Sequence, residues 1–328
     1  MRRRSASARE EYLVSKLHRV RHVWRSIECT ICGSSIYRPE SKPALAGSYP
    51  LDLEFTLTDQ KHYYARFDSR GIPMREYSAS GLQHVPTRVA AFGLAHFNRW
   101  LRTGDCVSRD QFLLMASWFM KSPDARWTYN FDLLGMRAPW ISCMAQGEGI
   151  SVLCRAFLLT GDYAYVNQAC RAAQPLSTTI EDGGLRSMID GKWMFLEEYP
   201  LSTPRHTLNG FLYALVGLID LCKIRPEQRG LLELEQLLAT LSNRWFLWDT
   251  GYWSSYDLHL SSGRRPNLST MQYHNIHMAL LEFVSQETGR DDIGAIAARW
   301  RCFAGSRWCR LRALAAKIAY RAQEPAYA

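Results

Sequence analysis

The sequence has no unbroken apolar run approaching the roughly 18 residues that a spanning helix needs, which excludes a conventional membrane-crossing segment. Its first residues, MRRRSASAREEYLVSKLHRVRHVW, carry the positive start of a signal peptide but lack the apolar run that must follow. A secretory signal is therefore rejected. Cysteine is present nine times, an odd number without a paired pattern. Cys143, Cys154 and Cys222 lie in apolar helical stretches, so reduced, buried thiols are expected rather than a disulfide framework. Cys29-Thr30-Ile31-Cys32 is a lone C-x-x-C, and the second pair that a structural zinc site requires is missing. No clean 20–50-residue repeat is visible. The expectation from these absences is a soluble, cytoplasmic protein.

What is present bounds the rest. At 328 residues and 47% hydrophobic, the chain can bury a substantial core in one or two domains. Forty basic residues against thirty-one acidic give a net charge of +9. That surplus suits nucleic acid, an anionic membrane or an acidic polymer. Eleven Trp and sixteen Tyr raise the aromatic content to 12%. Aromatic faces beside cationic side chains suit sugars as well as bases, so charge alone does not choose between them. Glu10–Trp24 reads as a short basic amphipathic helix with Leu13, Leu17, Val20 and Trp24 on one face. Packing on the body or a solvated arm is preferred there to contact with an anionic membrane.

Along the chain, Tyr49–Tyr77 is the one β-like region. LDLEFTL alternates apolar Leu51, Leu53, Phe55 and Leu57 with polar residues, and Asp68-Ser69-Arg70-Gly71 follows His62–Phe67 as a turn. From Pro86 onward the chain is helical. Val89, Phe92, Gly93, Phe97, Trp100 and Leu101 mark an amphipathic helix that stops before Thr103-Gly104-Asp105. Further helices are expected at Phe112–Met120, Ile141–Leu159, Ala164–Ala172, Leu208–Leu221, Leu231–Leu241, Thr270–Val284 and Asp291–Phe303, then a basic C-terminal helix. Short turns with T-G-D at Gly104 and Gly161 suggest helical hairpins, hence a mainly α fold: an (α/α) toroid or partial barrel with a small N-terminal β-hairpin or sheet. The expected organisation is a basic helix and linker over 1–48, a small β region over 49–85 and an α/α catalytic domain over 86–328.

The stretch from Trp193 to Leu221 dominates this plan. Trp193, Phe195, Glu197, Glu198 and Tyr199 form an aromatic and acidic cluster, Pro200 breaks the backbone, and Ser202-Thr203-Pro204 leads into an apolar helix. Gly210, Ala214 and Gly217 in that helix let neighbours approach closely. Acidic residues beside bulky aromatics are rare unless paired or used. Favouring the helix dipole is the bland alternative, but Pro200 and Pro204 place Glu197 and Glu198 about two turns too early in sequence, and the dipole fades within roughly one turn. Two more polar-aromatic clusters follow: Asp249-Thr250-Gly251-Tyr252 with Ser255-Tyr256-Asp257-Leu258, and Pro266-Asn267-Leu268 with Tyr273-His274-Asn275-Ile276-His277. His274 and His277 stand i, i+3 on a helix, and without a third ligand a hydrogen-bonded core pair is preferred to a metal site.

These motifs resemble the D-glucuronyl C5-epimerases, which convert D-glucuronate to L-iduronate within heparosan or heparan sulfate-type chains. The resemblance rests on Met144-Ala145-Gln146-Gly147 with Ser151 and Arg155, on Glu197-Glu198-Tyr199-Pro200 with Leu208-Asn209-Gly210-Phe211, and on the Asp249-Thr250-Gly251, Tyr256-Asp257-Leu258, Pro266-Asn267-Leu268 and Tyr273-His274 segments. In order and spacing they span most of Trp140–Trp308. The Tyr49–Asp105 region looks like the compact microbial members, whereas the animal enzymes carry a longer N-terminal part. The resemblance implies a catalytic domain of paired helices with a cleft site, no organic cofactor, and Glu198, Tyr199, Tyr256 and Tyr273 as catalytic positions. Gln146, Arg155, Glu197, Asn209, His259, Arg264, Asn267 and His274 become candidates for substrate binding.

The chemistry explains the residue types. Inverting C5 of a uronate removes a proton α to a carboxylate and returns one to the opposite face, so the site needs an acid/base on each face and donors aimed at the carboxylate. Glu198 is expected on one face and Tyr273 on the other, with Tyr199 and Tyr256 polarising the carboxylate. The animal pattern has Arg after Tyr-Asp-Leu, where this chain has His259, and Asp before the last Tyr-His, where it has Gln272. His259, or Arg264 or Arg265, is expected to take the arginine's place. A uronate polysaccharide lyase and a catalytically degenerate glycan-binding or assembly protein are the alternatives. The expected partner is an acidic, heparosan-like polysaccharide and not nucleic acid; a homodimer and a peripheral membrane contact through the N-terminal helix stay open.

Overall fold

The computed structural model describes residues 27–35, 37–40, 47–77 and 79–324; the basic helix expected over Glu10–Trp24 lies outside them. The described chain begins with helical residues 27–32 (α1). There follow β1 (Arg38–Pro39), β2 (Leu51–Asp52), α2 (Glu54–Thr58), α3 (Gln60–Tyr63), β3 (Arg66–Phe67), β4 (Pro73–Tyr77) and β5 (Gly81–His84). β1 and β2 pair antiparallel, and β3, β4 and β5 form a three-stranded antiparallel sheet in that order. The turn before β4 is closed by Asp68, whose Oδ1 accepts from the backbone N–H of Arg70 and of Ile72.

One expectation is corrected here. The alternating Leu51–Leu57 segment is strand only at Leu51–Asp52 and then turns into α2. Asp52 Oδ1 accepts from the Glu54 N–H at 2.9 Å and starts a turn, and Leu53 O accepts from Thr56 Oγ1 at 2.7 Å. Arg99 and Arg102 of the next long helix then hold the Glu54 carboxylate. Local turn chemistry and one ion cluster thus override the period-two pattern.

The body is built from α4 (Pro86–Thr103), α5 (Cys106–Met120), α6 (Cys143–Thr160), α7 (Tyr163–Ser177), α8 (Leu208–Ile224), α9 (Gln228–Leu231), α10 (Leu234–Arg244), α11 (Met271–Thr288), α12 (Asp291–Gly305) and α13 (Arg307–Gln323). Hairpins form where the sequence carries T-G-D. Gly104 and Gly161 take φ of +71° and +73° at the helix ends, a conformation that glycine adopts without steric cost. Asp105 and Asp162 then accept from the first N–H groups of α5 and α7 as N-caps. α4 packs on α6, α6 on α8 and α8 on α11, while α5, α7 and α12 back α4, α6 and α11. The two ends of this arc are joined by the N-terminal segment: β1 and β2 lie on α11, and α2 lies on α4. Among the described residues the fold is therefore mainly α, with small sheets and no closed barrel.

α6 and α8 cross backbone to backbone. A Cβ on Gly217 would come within 2.2 Å of the Gly147 carbonyl, and one on Gly147 within 2.5 Å of Ala214 Cα. The small residues of Leu208–Leu221 thus do what their pattern implied, fixing the central pair to which the site is attached. Two hairpins hang from this frame: β6 (Arg186–Ile189) with β7 (Trp193–Leu196), and β8 (Ser255–Leu260) with β9 (Pro266–Leu268). Phe195 of β7 is fully buried between Phe211 of α8 and Trp248, at 4.3 and 5.5 Å between ring centroids.

Candidate active site

β7 delivers the Glu197-Glu198-Tyr199 segment against the N-terminus of α6, where the Glu197 carbonyl accepts from the Cys143 N–H at 3.1 Å. The chain then loops back through residues 200–207, so Glu198 lies on the first turn of α8. Asn209 Nδ2 donates to Glu198 Oε2 at 2.9 Å, and a Cβ at Gly210 would meet Glu198 Cβ at 2.5 Å. Distance along the sequence had argued against this helix end; the loop closes it in space, so the carboxylate does meet the amino end of a helix.

Glu198 is buried, and burial pushes its carboxyl up to about 7, against hydrogen bonds from Tyr199 and Asn209 that favour the charged form. Tyr199 lies beside Glu198 and Tyr256 beside Tyr199, each pair close enough for its side chains to interact. Burial holds both phenols well above the usual tyrosine range. Tyr273, from the first turn of α11, meets Tyr256 edge to face at 5.0 Å. It is 36% exposed, which makes it the open side of the group, and desolvation with the nearby Glu198 raises it to about 12. The four expected catalytic residues, scattered over 76 positions of sequence from Glu198 to Tyr273, are thus brought together in one group, with Asn209 as the fifth member.

Other expected binding residues are placed differently. Gln146 is fully buried and bonds the backbone of Ala125, Ala172 and Trp127. Arg155 is buried in a pair with Asp220, which also accepts from Ser151 at 2.7 Å. Glu197 is fully buried, accepting from Ser187 Oγ at 2.7 Å and the His206 N–H at 3.1 Å, so it anchors the loop that carries its neighbour. His274 stacks on Trp253 at 3.8 Å and bonds Ser254 Oγ and the Trp300 carbonyl. The side chains of Gln146, Glu197 and His274 are bonded within the protein, and Arg155 is paired with Asp220 while its Nε is buried without an acceptor. His277 completes the core pair through Ser254 Oγ at 3.1 Å. No group of three or more His, Cys, Asp or Glu among the described residues has the geometry to hold a metal.

The β8–β9 hairpin supports Tyr256 from below. Asn267 Nδ2 donates to Asp257 Oδ2 at 3.0 Å, and Lys317 Nζ from α13 donates to Asn267 Oδ1 at 2.8 Å. Lys317 also sits 6.0 Å from the Tyr256 ring centroid, and burial draws its ammonium down to about 7. His259 is half-buried beside Asp257, and Arg264 is exposed at the hairpin turn with φ of +57°.

Two groups escaped the sequence reading. Glu148 of α6 is buried with one carboxyl oxygen unpartnered, and burial plus the nearby Glu198 raises it well above the carboxylate range. The signal was present, since Gly147-Glu148-Gly149 puts a carboxylate in an apolar helix. Lys317 had no such signal in the basic C-terminal helix.

A family model described as the C-terminus of D-glucuronyl C5-epimerase matches residues 121–302. A D-glucuronyl C5-epimerase of Caenorhabditis elegans is 33% identical over 217 residues, covering 58% of this chain and 34% of that protein. An uncharacterized protein of Methanocaldococcus jannaschii is 26% identical over 180 residues, covering 53% of this chain and 56% of that one. The chain therefore spans about a third of the nematode protein's length and just over half of the archaeal one's. The family match includes Glu198, Tyr199, Asn209, Tyr256 and Tyr273; Lys317 lies beyond it.

Proposed function

The chain belongs to the D-glucuronyl C5-epimerase family, and we propose that it is an isomerase converting D-glucuronate to L-iduronate residues within a heparosan-like polymer. One observation carries this reading: a buried carboxyl held near neutrality, linked through Tyr199 and Tyr256 to a cleft-facing Tyr273. A base works best when its pKa lies near the operating pH, which is where burial puts Glu198.

In the proposed reaction Glu198, as carboxylate, takes the C5 proton, and the C–H electron pair moves into the uronate carboxylate as an enediolate-like species. The pair then returns to C5 from the other face, forming a C–H bond with the Tyr273 hydroxyl proton. Tyr273, at about 12, stays a phenol until the substrate anion demands its proton. Turnover leaves Glu198 protonated and Tyr273 as phenolate, and the exposed edge of Tyr273 lets solvent restore both. Tyr199 and Tyr256, beside Glu198, would polarise the uronate carboxylate as negative charge builds on it.

The test is incubation of the protein with heparosan in D2O, followed by proton NMR of the uronate signals. Loss of the C5 proton with new iduronate signals is expected. Ultraviolet absorbance from a C4–C5 double bond would instead mean a lyase, and glycan binding with no C5 exchange would overturn the catalytic reading.

A further inference from the structure

Two arginines on the N-terminal side of the cleft have no carboxylate partner among the described residues. Arg75 is exposed on β4 with its guanidinium 5.0 Å from the Tyr77 ring centroid. Arg88, in the first turn of α4, lies 4.9 Å from the Tyr64 ring, and its Nε is buried without an acceptor. Burial, and then the nearby charge of Arg75, draws the Arg88 guanidinium below its usual range. Other arginines nearby do have such partners. Arg99 and Arg102 on the same helix hold Glu54 and Glu40, and Arg70 before the hairpin holds Asp68.

The pair is continuous with the catalytic group. Tyr77 packs on Phe131 at 4.3 Å, and Phe131, Trp140, Tyr77 and Tyr199 belong to one aromatic cluster. From the other direction, Arg75 is close enough for its charge to pull down the Tyr273 phenol. We propose that Arg75 and Arg88 form an anion clamp that binds a carboxylate of the acidic saccharide chain at the mouth of the cleft. A guanidinium fork matches a carboxylate in two parallel bonds, and a bound carboxylate relieves the repulsion while satisfying the orphaned Nε. The clamp supplies the cationic role that the Tyr256-Asp257-Leu258 segment lacks, from residues outside the 121–302 family match. It rests on the proposed function only in taking the ligand to be a uronate chain.

The test is calorimetric binding of a heparosan octasaccharide and of its carboxyl-reduced, neutral counterpart at fixed ionic strength. Wild type is compared with Arg75→Gln, Arg88→Gln and Arg88→Lys, and C5 exchange is followed in parallel. The wild type is expected to favour the acidic chain. Each Gln variant should weaken acidic-chain binding by about tenfold or more and leave the neutral chain unaffected. Arg88→Lys should fall between, because it keeps the charge and loses the fork. In exchange assays KM should rise more than kcat falls. Unchanged acidic-chain affinity in Arg75→Gln, equal loss for both chains, or no wild-type binding overturns the clamp; Arg75 is on the surface, so its variant decides even if Arg88→Gln fails to fold. Selective binding without C5 exchange would leave the clamp standing and sink the epimerase reading. Exchange that is indifferent to both arginines would do the reverse.

Discussion

Tyr273 and His274 are adjacent in sequence on α11 and belong to opposite environments. Tyr273 lies beside Tyr256 and near Glu198, partly exposed, in a group whose carboxyl is pushed up to about 7 by burial. His274 faces inward, fully buried, with both ring nitrogens bonded and burial drawing it down to about 4, so it stays neutral. The same split runs through the preceding hairpin: Trp253 and Ser254 join the histidine core while Tyr256 joins the cleft. A motif of polar and aromatic residues is therefore two things at once, a partly exposed group and the closed hydrogen-bond network packed behind it. What separates them is whether the polar atoms have spare valence at a solvent-reachable wall.

The comparison breaks most visibly at Glu198. Glu198→Gln keeps the shape and the contact to Asn209 but removes the base, so kcat should fall about 10²–10⁴-fold with the unfolding midpoint held or raised, because a buried ionisable group is gone. Steady-state exchange kinetics alongside urea unfolding separate the two readouts. A variant retaining activity within about tenfold of wild type would remove Glu198 from the chemistry.

The opposite signature is expected at His274. Truncation to Ala deletes a ring stacked 3.8 Å from Trp253 and strands Ser254 Oγ and the Trp300 carbonyl in the core. The combined cavity and lost hydrogen bonds should cost about 3–4 kcal/mol of stability. At low temperature, activity per folded molecule should stay near that of wild type. A large kcat loss at full folding would place His274 in the cleft's chemistry after all.

How much of this was legible depends on the range of the interactions involved. The helical hairpins were readable because T-G-D is a local device: Gly104 and Gly161 supply the left-handed cap and Asp105 and Asp162 the next helix's first acceptor. The close crossing at Gly147 and Gly217 was readable from small residues in an apolar helix. The β6–β7 hairpin had its own signal, since Asp190-Gly191 both take positive φ at its turn, but the neighbouring aromatic and acidic cluster drew the reading away. Leu51–Leu57 misled because Asp52 and the Arg99–Arg102 pair, remote in sequence, decide its conformation. In the site, the motif positions Glu198, Tyr199, Tyr256 and Tyr273 were legible as a set, yet nothing local distinguished them from Gln146, Arg155, Glu197 and His274. That distinction is a matter of burial and bonding partners. Arg75, Arg88 and Lys317 were invisible for a plainer reason: a cation's partner, or lack of one, is fixed only when the fold closes.

The finest contrast is in pH dependence, where buried Glu198 and half-buried Lys317, on either side of the tyrosines, act with opposite sign. Glu198 is raised to about 7 from a reference of 4.5. Between those values the native state keeps a proton that the unfolded chain has released, so stability falls as pH rises, by up to about 1.4 kcal/mol per unit. Lys317 is lowered to about 7 from 10.5. Above 7 the native state has released a proton that the unfolded chain still binds, so its contribution to stability rises with pH. Glu198→Gln should flatten the acid arm alone and Lys317→Met the alkaline arm alone, as read by urea unfolding at unit steps from pH 5 to 9. Because the base must be ionised to act, kcat/KM should rise through about pH 7 while the acid arm of stability declines, so activity and stability pull apart at the same carboxyl. Parallel stability curves for wild type and Glu198→Gln across the acid window would mean that Glu198 ionises like an ordinary surface carboxylate, and the poised base would go with it.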